Sequence, residues 1–194
     1  MKKTILILSL TAVVISIALI SCTSGGAKDE KVVITQDSLV KRGSYLVNSI
    51  GCDDCHSPKK FGPNGVEIDM EHRFGGHLTN SPLGKPNTSV IKDGYMLFAL
   101  DLTSAVGPWG QSYAANISSD ATGIGNWTEE QFFTAIREGK SKGIKDNREL
   151  LPPMPWFVYK NMSDIDLKAI FAYLKSTKPV ENRVLGPVPL TELK

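Results

Sequence analysis

Three stretches of the chain repeat apolar residues at the three- and four-residue spacing of an α-helix with one buried face. The first extends from Ser38 to Ile50, the second begins at Thr128, and the third begins at Ser163. Their apolar positions are Leu39, Leu46, Val47 and Ile50, then Phe132, Phe133 and Ile136, then Leu167, Ile170, Phe171 and Leu174. The sequence contains no alternating apolar and polar run long enough to predict a sheet. The pattern therefore predicts a mainly α-helical fold with long loops.

Capping signals mark the ends of the two later helices. Thr128 and Gln131 have the spacing of a capping box, in which each side chain bonds to the backbone of the other residue. Gly139 can end the same helix, because glycine readily adopts the left-handed conformation that follows a last helical turn. Ser163 is suited to begin the third helix, and Pro179 prevents its continuation. Both helices are therefore predicted from two independent signals.

The first 22 residues have the pattern of an export signal. Lys2 and Lys3 precede an apolar run from Ile5 to Ile20, and Ser21 and Cys22 follow it. A basic start, an apolar run and a small residue at the cleavage site are typical of a signal peptide. An uncleaved membrane anchor is the alternative, because the run is close to the length that a bilayer requires. The tetrapeptide ending in Cys22 resembles the lipobox of bacterial lipoproteins, which implies cleavage after residue 21, a lipid on Cys22, and a membrane-anchored protein on the periplasmic side of the cell envelope.

Charge and composition indicate the organisation of the rest of the chain. Removing residues 1–21 takes away two of the 22 basic side chains and none of the 20 acidic ones, so the mature chain is balanced. An even balance gives no reason to expect nucleic-acid binding. Residues 22–37 are mostly small, polar or charged and are predicted to form a flexible tether. Residues 38–185 are long enough for one domain with its own core, and residues 186–194 are predicted to be a C-terminal tail.

The strongest chemical signal is the segment from Cys52 to His56, which reads C-x-x-C-H. This is the attachment motif of a c-type haem. Cys52 and Cys55 are spaced to bond the two vinyl groups of one porphyrin as thioethers, and His56 can bind its iron as the proximal ligand. A redox dithiol does not require the adjacent histidine, and a zinc site would need another Cys/His pair nearby. One covalent haem c, with its iron, is therefore the predicted cofactor.

Six-coordinate iron needs a second axial ligand, and Met154 is the best candidate. Three prolines surround it, and their restricted backbones lower the entropy cost of holding one side chain on the iron. A neutral thioether ligand also favours the ferrous state and raises the potential. Packing on the core is the alternative role for Met154. The weaker candidates are Met162, which is placed to pack at the start of the third helix, Met96, which lies in an apolar stretch, and Met70, His72 and His77, for which surface positions are expected.

Three features together resemble a class I cytochrome c: C-x-x-C-H after an amphipathic helix, a Pro-Met-Pro loop, and a last helix ending in Ala-Tyr-Leu-Lys-Ser. The segment from Ser112 to Trp127 resembles the haem domains of cytochrome c subunits of flavin- or quinone-dependent alcohol and gluconate dehydrogenases. The resemblance covers roughly Ser38 to Val184. It implies a helical fold around one haem, with His56 and Met154 as axial ligands and a long loop insertion between residues 57 and 110.

The resemblance also implies two packing details. In class I cytochromes the first and last helices cross where a small residue meets an aromatic one, which implies Gly43 with either Phe171 or Tyr173. In the same class a proline carbonyl accepts the Nδ1–H of the proximal histidine. Gly62-Pro63 matches that pair in sequence, so Pro63 is implied as the acceptor for His56.

These features predict an electron-transfer protein and not an enzyme. Single electrons would pass from a dehydrogenase or a quinol-oxidising complex to an oxidase or reductase outside the cytoplasm. The alternative is a haem enzyme, or a sensor of peroxide or gases, in which the sixth iron position is open. Basic side chains near the exposed haem edge would guide partner proteins, although ordinary solvated surface charge is the alternative. These are Lys59 and Lys60 after the motif, and Lys140, Lys142, Lys145 and Arg148 before Met154.

Overall fold

The computed structural model describes residues 34–63 and 65–193, and helices outweigh strands in it. The α-helices are α1 (Gln36–Ser49), α2 (Cys52–His56), α3 (Glu129–Arg137), α4 (Trp156–Tyr159) and α5 (Asp164–Lys175). The strands are β1 (Lys59–Gly62), β2 (Gly65–Ile68), β3 (Leu97–Phe98), β4 (Ser104–Gly107) and β5 (Gly110–Tyr113). Over the described range, none of the helices combines the length and the apolar character needed to cross a membrane.

The three helices predicted from apolar spacing are confirmed, and their caps define where they begin. The side chain of Thr35 accepts a hydrogen bond from the backbone N–H of Ser38 at 3.2 Å, so α1 begins two residues before the predicted start. Thr128 and Gln131 form the predicted capping box of α3. Ser163 caps α5 by accepting a hydrogen bond from the backbone of Asp166. Each cap satisfies N–H groups that the first helical turn leaves unpaired.

The long helices α1 and α5 cross at Gly43. A methyl group on Gly43 would overlap the backbone carbonyl of Ala169 and lie 2.7 Å from Cβ of Tyr173. Tyr173 is therefore the aromatic residue at the crossing. Phe171, the other candidate, packs on Phe132 of α3 with ring centroids 5.1 Å apart. The small residue at position 43 lets the two helix backbones approach each other directly.

One apolar core lies between these helices and the loop that follows the haem motif. Its buried members are Val47, Phe74, Ile124, Phe132, Leu167, Ile170 and Leu174. Phe74 and Ile124 belong to connecting segments, so loops as well as helices supply core side chains. Burying this apolar surface is the main stabilising contribution to the fold.

No sheet was predicted from the sequence, but the described residues contain two. Strands β1 and β2 form an antiparallel hairpin with Lys59 opposite Ile68, and β3, β4 and β5 form a three-stranded antiparallel sheet in that order. Each strand has only two to four residues, which is too short to establish an alternating pattern in the sequence. The predicted C-terminal tail also reaches this sheet, because Val188 pairs with Gln111.

Candidate haem site

The C-x-x-C-H segment forms a single helical turn, α2, directly after α1. Gly51 separates the two helices with φ +80°, a left-handed conformation that favours glycine. The thiols of Cys52 and Cys55 are partly buried and are not joined to each other. After the sharp turn at Gly51, both cysteines and His56 therefore lie on one short helix.

The two thiols are held in their protonated form. Burial, together with the carboxylates of Asp53 and Asp54, raises the pKa of Cys52 to about 12. Burial also raises the pKa of Cys55. A redox-active dithiol needs a lowered thiol pKa, so this environment opposes that alternative to haem attachment. In the part of the chain that the structure describes, the side chains grouped closely enough to hold a metal ion are Asp69, Glu71 and His72, outside the motif.

The imidazole of His56 is oriented by a backbone carbonyl. Its Nδ1 lies 2.7 Å from the carbonyl oxygen of Ala115. Because a carbonyl can only accept, Nδ1 carries the hydrogen, and Nε2 of the neutral ring keeps its lone pair. Burial lowers the pKa of His56, which favours this neutral form. The arrangement suits binding of iron through Nε2, with the second nitrogen fixed as expected for a metal-binding histidine.

The implied role of Pro63 as this acceptor is wrong. Gly62 and Pro63 are exposed at the end of the β1–β2 hairpin, and the oxygen beside His56 Nδ1 belongs to Ala115. The β1–β2 hairpin lies in the part of the sequence where the resemblance implied a proline that accepts from His56. Sequence reasoning singled out the segment around Ala115 without giving it a role. A backbone acceptor carries no side-chain signature, so its residue type could not reveal it.

The Met154 segment is fixed on both sides by hydrogen bonds. Met154 is half-buried, and its backbone N–H donates to the carbonyl of Leu151 at 3.3 Å. The hydroxyl of Ser112, in β5, donates to the carbonyl of Pro152 at 2.7 Å. Beyond Met154, the indole of Trp156 packs so closely on Gly139 that a methyl group there would overlap the ring. These contacts hold the segment firmly, as the prolines in the sequence suggested.

The short stretch from Ser112 to Ala115 contacts the segments of both candidate iron ligands. Ser112 bonds to Pro152, two residues before Met154, and Ala115 accepts the hydrogen bond from His56. A second link comes from the hydroxyl of Tyr159, which donates to the carbonyl oxygen of Ile50 just before the motif. Tyr159 was missed by sequence reasoning, because the four-residue helix α4 shows no apolar periodicity.

The other candidate iron ligands lie in environments that differ from that of Met154. Met162 packs against the core, which confirms its predicted structural position. The prediction of a surface position for His77 is wrong, since it is 1% exposed and its Nδ1 lies 2.8 Å from Oγ1 of Thr103. Met96 does not pack as its apolar neighbours suggested and is 47% exposed. Met70 is exposed on the surface, and the His72 ring is paired with Asp69 at 2.7 Å.

The predicted docking lysines differ in what they contact. Lys59 donates to the carbonyls of Asp53 at 2.8 Å and Ser57 at 2.7 Å, so it caps the end of α2. Lys60 forms an ion pair with Asp69 at 2.8 Å. The exposed basic residues of the other cluster are Lys142, Lys145 and Arg148. Lys59 therefore has a structural contact that sequence reasoning did not foresee.

A helical domain whose first long helix leads into a C-x-x-C-H turn, with the histidine ring held by a carbonyl, is typical of c-type cytochromes. No family model matches the chain. The fructose dehydrogenase cytochrome subunit of Gluconobacter japonicus is 31% identical over 156 residues, which are 79% of this chain and 24% of that protein. The gluconate 2-dehydrogenase cytochrome c subunit of Pantoea cypripedii is 33% identical over 138 residues, 71% of this chain and 23% of that protein.

The cytochrome c subunit of the quinone alcohol dehydrogenase of Gluconobacter oxydans is 28% identical over 148 residues, 74% of this chain and 23% of that protein. Homologues of the chain are therefore cytochrome c subunits of fructose, gluconate and alcohol dehydrogenases, and the chain resembles the matching part of these subunits. Its fold is cytochrome c-like. The chain spans about a quarter of the length of these curated relatives.

Proposed function

We propose that this protein is a monohaem c-type cytochrome that carries single electrons outside the cytoplasm. The observation that carries the proposal is the orientation of His56, whose Nδ1 is bonded to the carbonyl of Ala115 while Nε2 keeps its lone pair. This histidine lies directly after two protonated, unpaired thiols at the spacing of a haem attachment motif. No such combination is required for a structural protein.

The residues present fit one covalent haem. Cys52 and Cys55 would form the thioethers, and His56 and Met154 would bind the iron. When bound, the haem supplies a one-electron couple between ferric and ferrous iron. The protein would orient the two ligands through Ala115 and the hydrogen-bonded Met154 segment.

The comparisons support a dehydrogenase as the electron donor. The relatives are cytochrome subunits of fructose, gluconate and alcohol dehydrogenases by name. We infer a donor of this kind, or a quinol-oxidising complex, and an oxidase or reductase as the acceptor. One C-x-x-C-H motif suits a single transfer step between partners.

A lipid on Cys22 would anchor the protein to the membrane on the periplasmic side of the envelope. Cys22 and the export signal lie outside the described residues, so this part of the proposal rests on the sequence pattern. Metabolic labelling with a radioactive fatty acid tests it. We expect label in the wild-type protein and none in Cys22→Ala, and equal labelling of both would contradict lipidation.

Haem staining after denaturing electrophoresis tests the cofactor assignment. The mature wild-type protein should retain the stain, because thioether bonds survive denaturation. Cys52→Ala and Cys55→Ala should each weaken the stain, and the double variant should abolish it. Persistent staining of the double variant would overturn the covalent assignment.

The optical spectrum tests the electron-transfer function against an open-site enzyme or sensor. A six-coordinate carrier should show the weak red absorption band of ferric iron bound by methionine, and its ferrous form should bind carbon monoxide slowly. Immediate binding of carbon monoxide, without the methionine band, would favour the alternative.

A further inference from the structure

A largely buried ion pair joins the haem motif to Arg73. Asp53, between the two cysteines, accepts from Nε of Arg73 at 2.9 Å through one oxygen and from Nη2 at 2.6 Å through the other. The Asp53 side chain is 13% exposed and that of Arg73 is 20% exposed. A paired, planar contact of this kind fixes the orientation of both groups.

Arg73 also connects the motif to the two helices that cross at Gly43. Its Nη2 donates to the side-chain oxygen of Asn48, in the last turn of α1, at 2.5 Å. Its Nη1 lies 3.4 Å from the hydroxyl of Tyr173 in α5. A single guanidinium therefore contacts α1, α2 and α5, and it lies 4.4 Å from the centre of the Phe74 ring.

Ser57 completes the connection on the other side of Asp53. Its fully buried hydroxyl donates to Asp53 at 2.6 Å and accepts from the backbone N–H of Phe74 at 2.9 Å. The end of α2 is thus joined to the loop residue that enters the core. Every polar atom of the Asp53 carboxylate has a partner, as a buried charge requires.

Both members of the pair are ionised. Burial alone would raise the pKa of Asp53, but hydrogen bonds from Arg73 and Ser57 lower it below its ordinary value. The hydrogen bond to Asp53 raises the pKa of Arg73. Asp53 therefore carries a full negative charge and Arg73 a full positive charge, and the effects of these two charges on a nearby group nearly cancel.

We propose that Arg73 is a positioning residue for the haem, which holds the motif turn through Asp53 and cancels the charge of that carboxylate next to the iron. The inference rests on the proposed haem attachment at Cys52 and Cys55. The carboxylate of Asp53 lies in the same helical turn as both cysteines and His56, so with the haem attached there its charge would act on the iron through a poorly screened interior. The pair thereby sets the potential of the site as well as its shape.

The sign of each effect follows from electrostatics. An uncompensated carboxylate stabilises the more positive ferric state, so loss of Arg73 should lower the midpoint potential. An uncompensated guanidinium disfavours the ferric state, so loss of the Asp53 charge should raise the potential. If the pair had only a structural role, loss of either residue would loosen the motif and admit water. The potential would then fall in both variants.

The test measures the midpoint potential and the covalent haem content of the full-length protein and of four variants. We expect a downward shift for Arg73→Gln, an upward shift for Asp53→Asn, and a value near that of the wild type for the double variant. Arg73→Lys should shift the potential less than Arg73→Gln, because it keeps the charge. A smaller fraction of Arg73→Gln than of wild-type molecules should carry haem.

Arg42→Gln is the matched control. Arg42 also pairs with a carboxylate, that of Asp166 at 2.5 Å, but this pair joins α1 to the start of α5, outside the motif. Its potential should equal that of the wild type. The inference would be overturned if the potentials of Arg73→Gln and Asp53→Asn shifted in the same direction or did not shift. If Arg73→Gln does not fold, the upward shift of Asp53→Asn still decides the question.

The same experiment separates this inference from the proposed function. If the wild-type protein carries covalent haem but the potentials of Arg73→Gln and Asp53→Asn do not shift in opposite directions, Arg73 has no charge-compensating role. The cytochrome assignment would then remain intact. A wild-type protein without covalent haem would overturn the cytochrome assignment itself.

Discussion

The hydroxyl of Tyr159 donates a hydrogen bond to the carbonyl oxygen of Ile50 at 3.0 Å. Tyr159 ends α4, which follows Met154, and Ile50 ends α1, just before the turn into the haem motif. Burial raises the pKa of Tyr159, so its hydroxyl stays protonated and able to donate. The contact joins the segments that carry the two candidate iron ligands.

Tyr159→Phe should lower the free energy of unfolding by about 1 kcal/mol, because the carbonyl of Ile50 loses its side-chain partner. Thermal unfolding of the haem-containing protein measures the change. Tyr45→Phe is the control, since Tyr45 lies on α1 and is 70% exposed. Equal melting temperatures for both variants would show that the Tyr159 hydroxyl contributes nothing.

Met154→Ala should leave the haem covalently attached but remove the spectral signature of methionine on iron. The iron should then bind cyanide or carbon monoxide readily, and the potential should fall because a soft neutral ligand is lost. Absorption spectra and potentiometry measure both effects.

Met162→Ala is the comparison for this prediction, because Met162 packs against the core. It should cost about 2 kcal/mol of stability and leave the spectrum unchanged. Control of the spectrum by Met162 or His77, and not by Met154, would show that the ligand assignment is wrong.

Gly43→Ala should destabilise the protein by about 3 kcal/mol or more. The added methyl group would overlap the carbonyl of Ala169, so α1 and α5 would have to separate. Denaturant-induced unfolding measures the loss. Gly84→Ala serves as the control, because a methyl group at Gly84 would meet no atom within 4 Å. Similar stability of the two variants would contradict the tight crossing.

Asp69 should make stability fall in acid. Burial alone would raise its pKa, but hydrogen bonds from Lys60 and His72 lower it from 3.8 to about 2. A carboxyl with a lowered folded-state pKa stabilises the protein above the unfolded value, and this contribution disappears as the pH falls from about 4 to 2. Unfolding measured across this range should show a smaller decline for Asp69→Asn than for the wild type. Asp93→Asn, at an exposed position, should follow the wild-type curve, and identical curves for all three proteins would refute the prediction.

Lys142 and Lys145 remain candidates for partner docking, since both are exposed near the Met154 segment. Reversing both to Glu should slow electron transfer from a dehydrogenase several-fold at low salt, because charge near a docking surface mainly sets the association rate. Stopped-flow reduction at increasing ionic strength measures the effect. Reversing Lys85 and Lys92 makes the same change in net charge in another exposed loop and should have a smaller effect. A rate that responds neither to salt nor to the first reversal would assign Lys142 and Lys145 to ordinary surface charge.

The helices could be predicted because their signals are local. Thr128, Gln131 and Ser163 mark helix starts through bonds that span three residues, and apolar spacing identifies the face that is buried. The crossing at Gly43 came from the resemblance, and the structure then distinguished Tyr173 from Phe171. The short strands gave no such signal, because pairs such as Leu97 with Val106 depend on partners elsewhere in the chain.

The motif residues of the candidate site were also evident in the sequence, but most of their supports were not. Asp53 and Arg73 are twenty positions apart, and nothing in the order of residues indicates that they meet. Ala115 acts through a backbone carbonyl, which every residue type possesses. The sequence therefore identified the groups proposed to contact the haem, whereas the structure was needed to find the groups that hold them.

The stretch from Ser112 to Ala115 has a consequence for the speed of electron transfer. It bonds at one end to the segment that carries Met154 and at the other to the imidazole of His56. If both side chains bind iron as proposed, a movement of one ligand would be resisted by the other through only four residues of backbone. These two bonds would then hold the ligands in the same geometry in both oxidation states. A preorganised site of this kind lowers the reorganisation energy, so an electron can arrive and leave without the ligands first moving to new positions.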